Sequence, residues 1–379
     1  MKPLDNESRH HQRPCLERVV GLGALAILIA FCFQSIASQA VEPTARAAQK
    51  DDELLKEAQS AFRALPKDMA TPDFPVTPER VSLGRKLFFE TRVSVDGTMS
   101  CARCHLPSLY GIDGLATSHG IHDKIVSRNA PTVLNAAMNV KQHWGGELES
   151  VEDQAKKALL PAFGNPDYAA AMAKLKAIPG YREMFKKCFP GDADPVTEDN
   201  WAKAIGAYER TLVTPSRFDD YLGGKTDALT AAERQGLRVF IDTGCARCHD
   251  GAGIGGKKFR KFGVREDYWK ATGSKQKDKG RSAVSQDPSD DYVFKVPLLR
   301  NVEMTAPYFH DGSVATLPAA VRVMARVQLG KTLSEDDTTA ITTFLKCLTG
   351  KVPDDFAKAP VLPPAAFPDV PPTGERKPK

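Results

Sequence analysis

The sequence is short of strand signals, of long apolar runs and of spare cysteines, and each shortage excludes something. After Phe33 no apolar stretch approaches the ~20 residues that a membrane-spanning helix needs, so the chain beyond its first forty residues is expected to be soluble. Zinc-finger and helix-turn-helix spacings are missing, and a net charge of +5 is too mild to argue for nucleic acid as a partner. Of 8 cysteines, Cys15 and Cys32 fall near the N-terminus and four belong to a repeated motif. The remaining two, Cys188 and Cys347, could pair in an oxidising compartment or lie apart as buried thiols. Sparse strand signals leave a mainly α chain with long loops. A length of 379 residues, 42% hydrophobic and 26% charged, suits two packed domains of ~150 residues each.

The N-terminus reads as an export signal. Arg9, Arg13 and Arg18 precede the apolar run Val19–Phe33, and the small-residue stretch SIASQA follows, with Ser38 and Ala40 where a signal peptidase reads. The run is too short to span a bilayer, and Phe31 before Cys32 is too bulky for lipoprotein processing. Residues 1–40 are therefore expected to be cleaved, leaving a protein in the periplasm.

Helix starts are legible downstream. Thr77-Pro78, Ser150 with Asp153, Thr230 with Glu233, and Ser334 each combine a capping side chain with first-turn proline or acid. A pattern repeats. A helix with a glycine and aromatics (Gly84 to Phe88; Gly236 to Phe240) precedes each copy of the pentapeptide CARCH, and an apolar helix follows about 100 residues later (Ala204 to Leu212; Ala340 to Leu348). The repeat divides the chain into residues 41–213 and 214–352, with the joint in the turn-rich stretch 214–229 and a tail at 353–379. That tail carries seven prolines after Ala359 and should be an extended strap or disordered.

The pentapeptide itself, Cys101-Ala102-Arg103-Cys104-His105 and Cys245-Ala246-Arg247-Cys248-His249, is the attachment sequence of c-type haem. Two thiols one helical turn apart can add to the vinyl groups of one porphyrin, and the adjacent imidazole then meets the iron. A structural zinc site would need a further Cys or His pair at finger spacing, and a redox dithiol would not need the His. Two copies mean two covalently bound haems, with His105 and His249 as iron ligands. Whether the pair is an enzyme or an electron carrier depends on what fills the sixth position of each iron.

The strings ERTLVTPSRFD, VFIDTGCARCHDG, DKGRSAV, YVFKVPLLRN, TAPYFHDGS and VMARVQLG, in this order, together with RNAPTVLNAAMN and HWGG, resemble the bacterial dihaem cytochrome c peroxidases, over roughly Asp73 to Gly350. The resemblance implies two cytochrome c-like helical domains, each holding one haem. It implies His249 and Met324 as the ligands of a high-potential, electron-accepting C-terminal haem; a thioether favours reduced iron. It implies that hydrogen peroxide reacts at the N-terminal haem on His105. There a loop His can fill the sixth position, and TSHGIHDKIVS offers His119 and His122, of which His122 is the choice.

The family's acid/base Glu, about ten residues after the Gln matched by Gln154, falls on Gly164-Asn165, so Asp167 or Glu147 would have to substitute, with Glu147 taken as the candidate. Trp144 matches the aromatic between the haems. A calcium ion is implied between the domains, held by the side chain of Asn129 and the carbonyls of Thr305 and Pro307. The implied electron donor is a small cytochrome c or cupredoxin, and a homodimer is common in the family. A MauG-like oxidase acting on a partner protein is the alternative that the missing Glu favours and Met324 opposes; a plain dihaem electron carrier is the third. Finally, Lys257 to Arg281 holds ten Lys or Arg against three Asp or Glu, either a solvated loop or a docking face for an acidic donor.

Overall fold

The computed structural model describes residues 49–365; the expected signal at 1–40 and the tail beyond 365 lie outside the described residues. The chain divides into two compact units after Glu53. Of the first, residues 49–53 are described and are helical. The second, from Leu54 on, is mostly helical and contains every sequence-predicted site residue. Among the described residues its strands are one short antiparallel pair, Phe259–Lys261 with Val293–Lys295, in which Arg260 faces Phe294.

The helix starts read from sequence hold at atomic level. Thr77 Oγ1 accepts from the Arg80 amide, Ser150 Oγ from Asp153, and Ser334 Oγ from Asp337. Thr230 and Glu233 exchange a full capping box. Each cap satisfies donors that the first helical turn leaves without an intrahelical partner.

Two helix crossings organise the unit. Helix Pro78–Phe88 lies against Glu198–Glu209, so close at Gly84 that a Cβ there would sit 1.8 Å from the Ala204 carbonyl oxygen. Helix Ala231–Thr243 crosses Glu335–Lys346 the same way: a Cβ on Gly236 would lie 2.0 Å from the Ala340 oxygen. An aromatic pair flanks each crossing, Phe88 with Tyr208 at 5.7 Å and Phe240 with Phe344 at 5.2 Å between ring centroids. Around them stand two separate cores, one on Leu87, Phe88, Trp201 and Ile205, the other on Phe218, Leu237, Phe240 and Phe344.

The chain's ends cross over between these cores, which differs from the expected boundaries. Leu54, Leu55, Ala58 and Phe62, placed by sequence with the N-terminal half, pack in the second core, where Phe62 meets Phe218 edge-on at 5.5 Å. Their spacing makes one apolar helix face, which says that a partner is needed and not which one. Phe356, from the proline-rich tail, is fully buried in the first core against Phe88. The tail then runs as a strap. Arg85 donates to the Asp355 and Lys358 carbonyls at 2.7 and 2.8 Å, Lys86 to the Val361 carbonyl, and Arg92 to that of Pro363. Proline removes backbone donors but keeps its carbonyl, so a proline-rich strap suits a helix that offers Arg and Lys.

Cys188 and Cys347 are free thiols, one against each core, so the two do not pair. Burial pushes the Cys188 thiol up to about 11.

Candidate haem sites and the region between them

The first motif forms a single helical turn, Cys101–Cys104, entered from an extended Ser100. The His105 ring presents Nδ1 to the Gly111 carbonyl oxygen at 3.0 Å. A carbonyl only accepts, so Nδ1 carries the proton and Nε2 keeps its lone pair, the state an iron ligand requires. Burial also holds this imidazole below its ordinary pKa. The second motif repeats the device: His249 Nδ1 faces the Ile254 carbonyl at 3.4 Å, and burial pulls its pKa down to about 4. Desolvation raises the thiols, Cys104 and Cys245 to about 11, so neither has the lowered pKa of an activated dithiol. Among the described residues no three His, Cys, Asp or Glu side chains gather as a metal cluster, which also speaks against zinc.

Cys245, Cys248 and His249 line a cavity of about 250 Å³, and Met324 lines the same cavity. Met324 ends the helix Leu317–Met324, after which a π turn, Ala325–Leu329, redirects the chain. Gln328 pins this turn: its Oε1 accepts from the Gly263 and Val264 amides and its Nε2 donates to the Lys261 carbonyl. Phe240, Ile341 and Leu345 from the second crossing supply apolar wall. A cavity edged by two thiols, an imidazole with a free Nε2 and a thioether offers the donor set that would hold a c-type haem.

The loop histidines fall elsewhere than the sequence reading placed them. The His122 side chain is 71% exposed, with Nε2 3.6 Å from Asp96, and His119 is exposed as well. His122 and Asp123 both have positive φ, and the turn they make sends Ile121 inward, into the first core and against Gly164. The loop does lie over the first motif, since the His119 carbonyl is 4.0 Å from Cys104 Sγ.

The substitutes considered for the family's Glu are also occupied. Glu147 is held by Arg128 and accepts from the Gly145 amide, while Arg128 makes a bidentate pair with Asp278 at 2.7 and 2.9 Å. Asp167 caps the helix Tyr168–Lys176. Asn165 is buried, donating to the Val93 and Leu159 carbonyls and accepting from Lys174 Nζ.

Two residues the sequence reading passed over stand out. His143, at φ +63°, lines the second cavity, feels Glu147, and acts electrostatically on His105 of the first motif. Its neighbour Trp144 lines that cavity too and donates from Nε1 to the Asn129 carbonyl at 2.9 Å. The HWGG stretch therefore lies between one motif and the other's cavity. The second is Glu209, buried at the end of a helix; burial first, then the Glu152 carboxylate, raises it to about 8, and it acts on Cys101. Glu152 itself is paired with Arg210 at 2.8 and 3.0 Å. The signal available in the sequence was a Glu closing the stretch Trp201–Tyr208, which is apolar apart from Lys203.

Glu209 makes stability depend on pH. Its folded pKa of about 8 exceeds the unfolded 4.5, so between those values the folded chain holds a proton that the unfolded chain has released. Stability therefore falls as pH rises through that window and levels above it. Glu209→Gln should keep roughly 2 kcal/mol that the wild type loses between pH 6 and pH 8.5. Denaturant titrations at the two pH values would show it; parallel losses in both proteins would refute the assignment.

Asn129 sits at a further polar site. Its side chain reaches the Leu115 and Pro307 carbonyls at 3.1 and 3.2 Å, and its amide donates to the His310 carbonyl. Segments 115–118 and 311–313 abut at Ala116 and Gly312, and buried there without a hydrogen-bond partner are Ser118 Oγ, Asp311 Oδ2 and Ser313 Oγ.

Comparison with known proteins agrees with this geometry. Residues 78–227 match the family model of the di-haem cytochrome c peroxidases. A cytochrome c551 peroxidase of Nitrosomonas europaea is 42% identical over 76% of this chain and 86% of its own length, and that of Pseudomonas aeruginosa 40% over 82% and 90%. The methylamine utilization protein MauG of Methylorubrum extorquens is 33% identical over 75% and 78%. Among solved structures, a MauG-like protein associated with microbial copper homeostasis superimposes with a TM-score of 0.68 at 27% identity, covering 78% of this chain and 97% of that one. With two haem-attachment turns, two helix crossings and relatives of this likeness, the chain belongs to the di-haem cytochrome c peroxidase/MauG family of oxidoreductases.

Proposed function

We propose that this protein is a periplasmic dihaem peroxidase that reduces hydrogen peroxide to water with single electrons from a small cytochrome c or cupredoxin. The observation that carries this reading is the asymmetry of the two sites: Met324 shares a cavity with His249, whereas the loop over His105 presents Ile121 and no ligating side chain. One site is equipped to be closed and to store an electron, the other to open to a small substrate. Peroxide consumes two electrons, so a one-electron donor needs the store. The haems, when bound, supply the redox chemistry and the iron on which peroxide is cleaved.

The chain's own residues do the rest. Gly111 and Ile254 orient the two imidazoles through their carbonyls. The two cores would correspond to two cytochrome c-like domains meeting near residue 214. His143 and Trp144, between the first motif and the second cavity, would define the path from one haem to the other. Glu209, buried and acting on Cys101, would hold a proton beside the first motif. His122 and Glu147 receive no catalytic role in this arrangement, because one faces solvent and the other is held in an ion pair with Arg128.

A calcium ion is proposed at Asn129. The side-chain amide, turned to offer Oδ1, would join the Thr305 and Pro307 carbonyls, and the unpartnered Ser118, Asp311 and Ser313 oxygens would meet its water shell. Asn129→Ala is expected to weaken Ca²⁺ binding by about tenfold or more, read by calorimetric titration of the chelated holoprotein.

The functional test is turnover of the purified dihaem protein with peroxide and a neutral mediator such as ferrocenemethanol. Peroxide-dependent oxidation of the mediator, preceded by reduction of one haem, is expected. Haems that stay six-coordinate and ignore peroxide at every redox level would make this an electron carrier. The lack of a carboxylate at Gly164-Asn165 favours the MauG-like alternative, which peroxide-dependent modification of a co-expressed protein without mediator turnover would establish.

A further inference from the structure

The cavity that holds His249 and Met324 has an outward face built by the start of the basic segment. Loop 261–265 is fastened to the π turn that follows Met324: the Gln328 side chain bonds Gly263, Val264 and Lys261, and the Arg265 amide donates to the Val327 carbonyl at 2.8 Å. Phe262 and Arg260 from the same stretch line the cavity wall. On the outside, Val264 is 58% exposed, a large apolar side chain turned to solvent.

The charges around it divide into two groups. Lys258, Lys270, Lys279 and Arg281 are paired with Asp250, Asp267, Asp291 and Asp290, and Glu266 is taken by Arg326. Lys257, Arg260, Lys261 and Arg265 are exposed and lie within ion-pair distance of no carboxylate among the described residues. Where charge needs only balancing, this segment has carboxylates at hand. Of the six cations of this segment without such a partner, Lys275 and Lys277 lie further along the loop, Lys277 over the Trp269 ring, and the other four lie within seven residues of Val264 in the chain. An exposed apolar centre with a charged rim is the anatomy of a transient protein interface.

We propose that Val264, with Lys257, Arg260, Lys261 and Arg265 around it, is the docking site for a one-electron donor protein that presents an acidic face. The assignment rests on the reading that the His249–Met324 cavity holds the electron-accepting haem. The transfer moves one electron from the donor's reduced metal to ferric iron, with no bond or proton changed. Unlike charge across the contact raises the encounter rate and makes it fall with salt.

The test reads reduction of the oxidised holoprotein by stopped flow, without peroxide, so it does not depend on peroxidase turnover. The donors are a reduced acidic cupredoxin and a reduced basic cytochrome c. With the wild type, the second-order rate for the acidic donor should exceed that for the basic one and fall about tenfold or more from low to high salt. Lys261→Glu with Arg265→Glu should lower the acidic donor's rate by about tenfold or more and leave reduction by ferrocenemethanol unchanged. A faster basic donor, a salt-independent acidic rate in the wild type, or equal loss with ferrocenemethanol would each overturn the proposal. So would displacement of the acidic donor by vesicles of anionic phospholipid, which would make this a membrane-facing surface.

Discussion

Replacing Met324 with His is expected to lower the reduction potential of the C-terminal haem by on the order of 0.2 V, a fraction of the ~0.8 V that axial ligands span. The cause is local. A thioether favours ferrous iron, an imidazole accepts the ferric state, and His249, the other proposed ligand, is already oriented by the Ile254 carbonyl. The position of Met324 is not left to chance. Buried Leu317 and Ala320 anchor its helix, and Gln328 ties the turn after it to residues 261–264. A store that no longer accepts an electron from the donor should stop donor-driven turnover while a low-potential chemical reductant still reduces the haem. Met324→Leu separates ligation from packing, because it nearly conserves volume. Spectroelectrochemical titration should show a loss of potential in this variant too. A midpoint within about 59 mV of wild type, a tenfold change in a one-electron equilibrium, would mean that Met324 only packs.

What the sequence disclosed follows the range of the interactions involved. The attachment turns were legible because covalent chemistry fixes two thiols and an imidazole within five residues, wherever the turn sits. The helix starts were legible for the same reason: a cap is a contact between residues three apart. The loop over the first motif was not. Whether Ile121 or His122 points inward depends on two successive positive φ values, at His122 and Asp123, a conformation uncommon even for these residue types. Glu209 was hidden because its pKa comes from burial and from Glu152, which stands 57 positions earlier in the chain. The charge balance of the basic stretch was not legible from its own residues. Asp290 and Asp291, brought back beside it by the strand pair, neutralise two of its charges, and Asp250 a third. The exchange of chain ends was illegible because an apolar face states a need for burial and not an address.

The repeat of helix, motif and helix was legible, and the structure gives it a physical basis that can be broken. Gly236→Ala should cost upwards of about 3 kcal/mol, against the ~5–15 kcal/mol that holds a typical fold. The added methyl would meet the Ala340 carbonyl oxygen at 2.0 Å and the Phe344 Cβ at 2.9 Å, neither of which is the free end of a flexible side chain. The helices must separate, and Phe240, Ile341 and Leu345, which line the haem cavity from this crossing, must move with them. Loss of haem from the second motif should accompany the loss of stability. Gly84→Ala meets Ala204 at 1.8 Å and should do the same to the first core. Gly191 has nothing within 4 Å of its would-be Cβ, so Gly191→Ala is the control and should stay within about 0.5 kcal/mol of wild type. Phe62, from the N-terminal half of the sequence, lies in the second core and Phe356, from the C-terminal tail, in the first, so the chain ties the two cores together on both sides. Both damaging variants should therefore lower one shared unfolding transition, followed by circular dichroism and by haem absorbance in urea. A Gly236→Ala protein as stable as the Gly191→Ala control would show that the crossing can relax, and that the glycine is not what sets the spacing of the two helices.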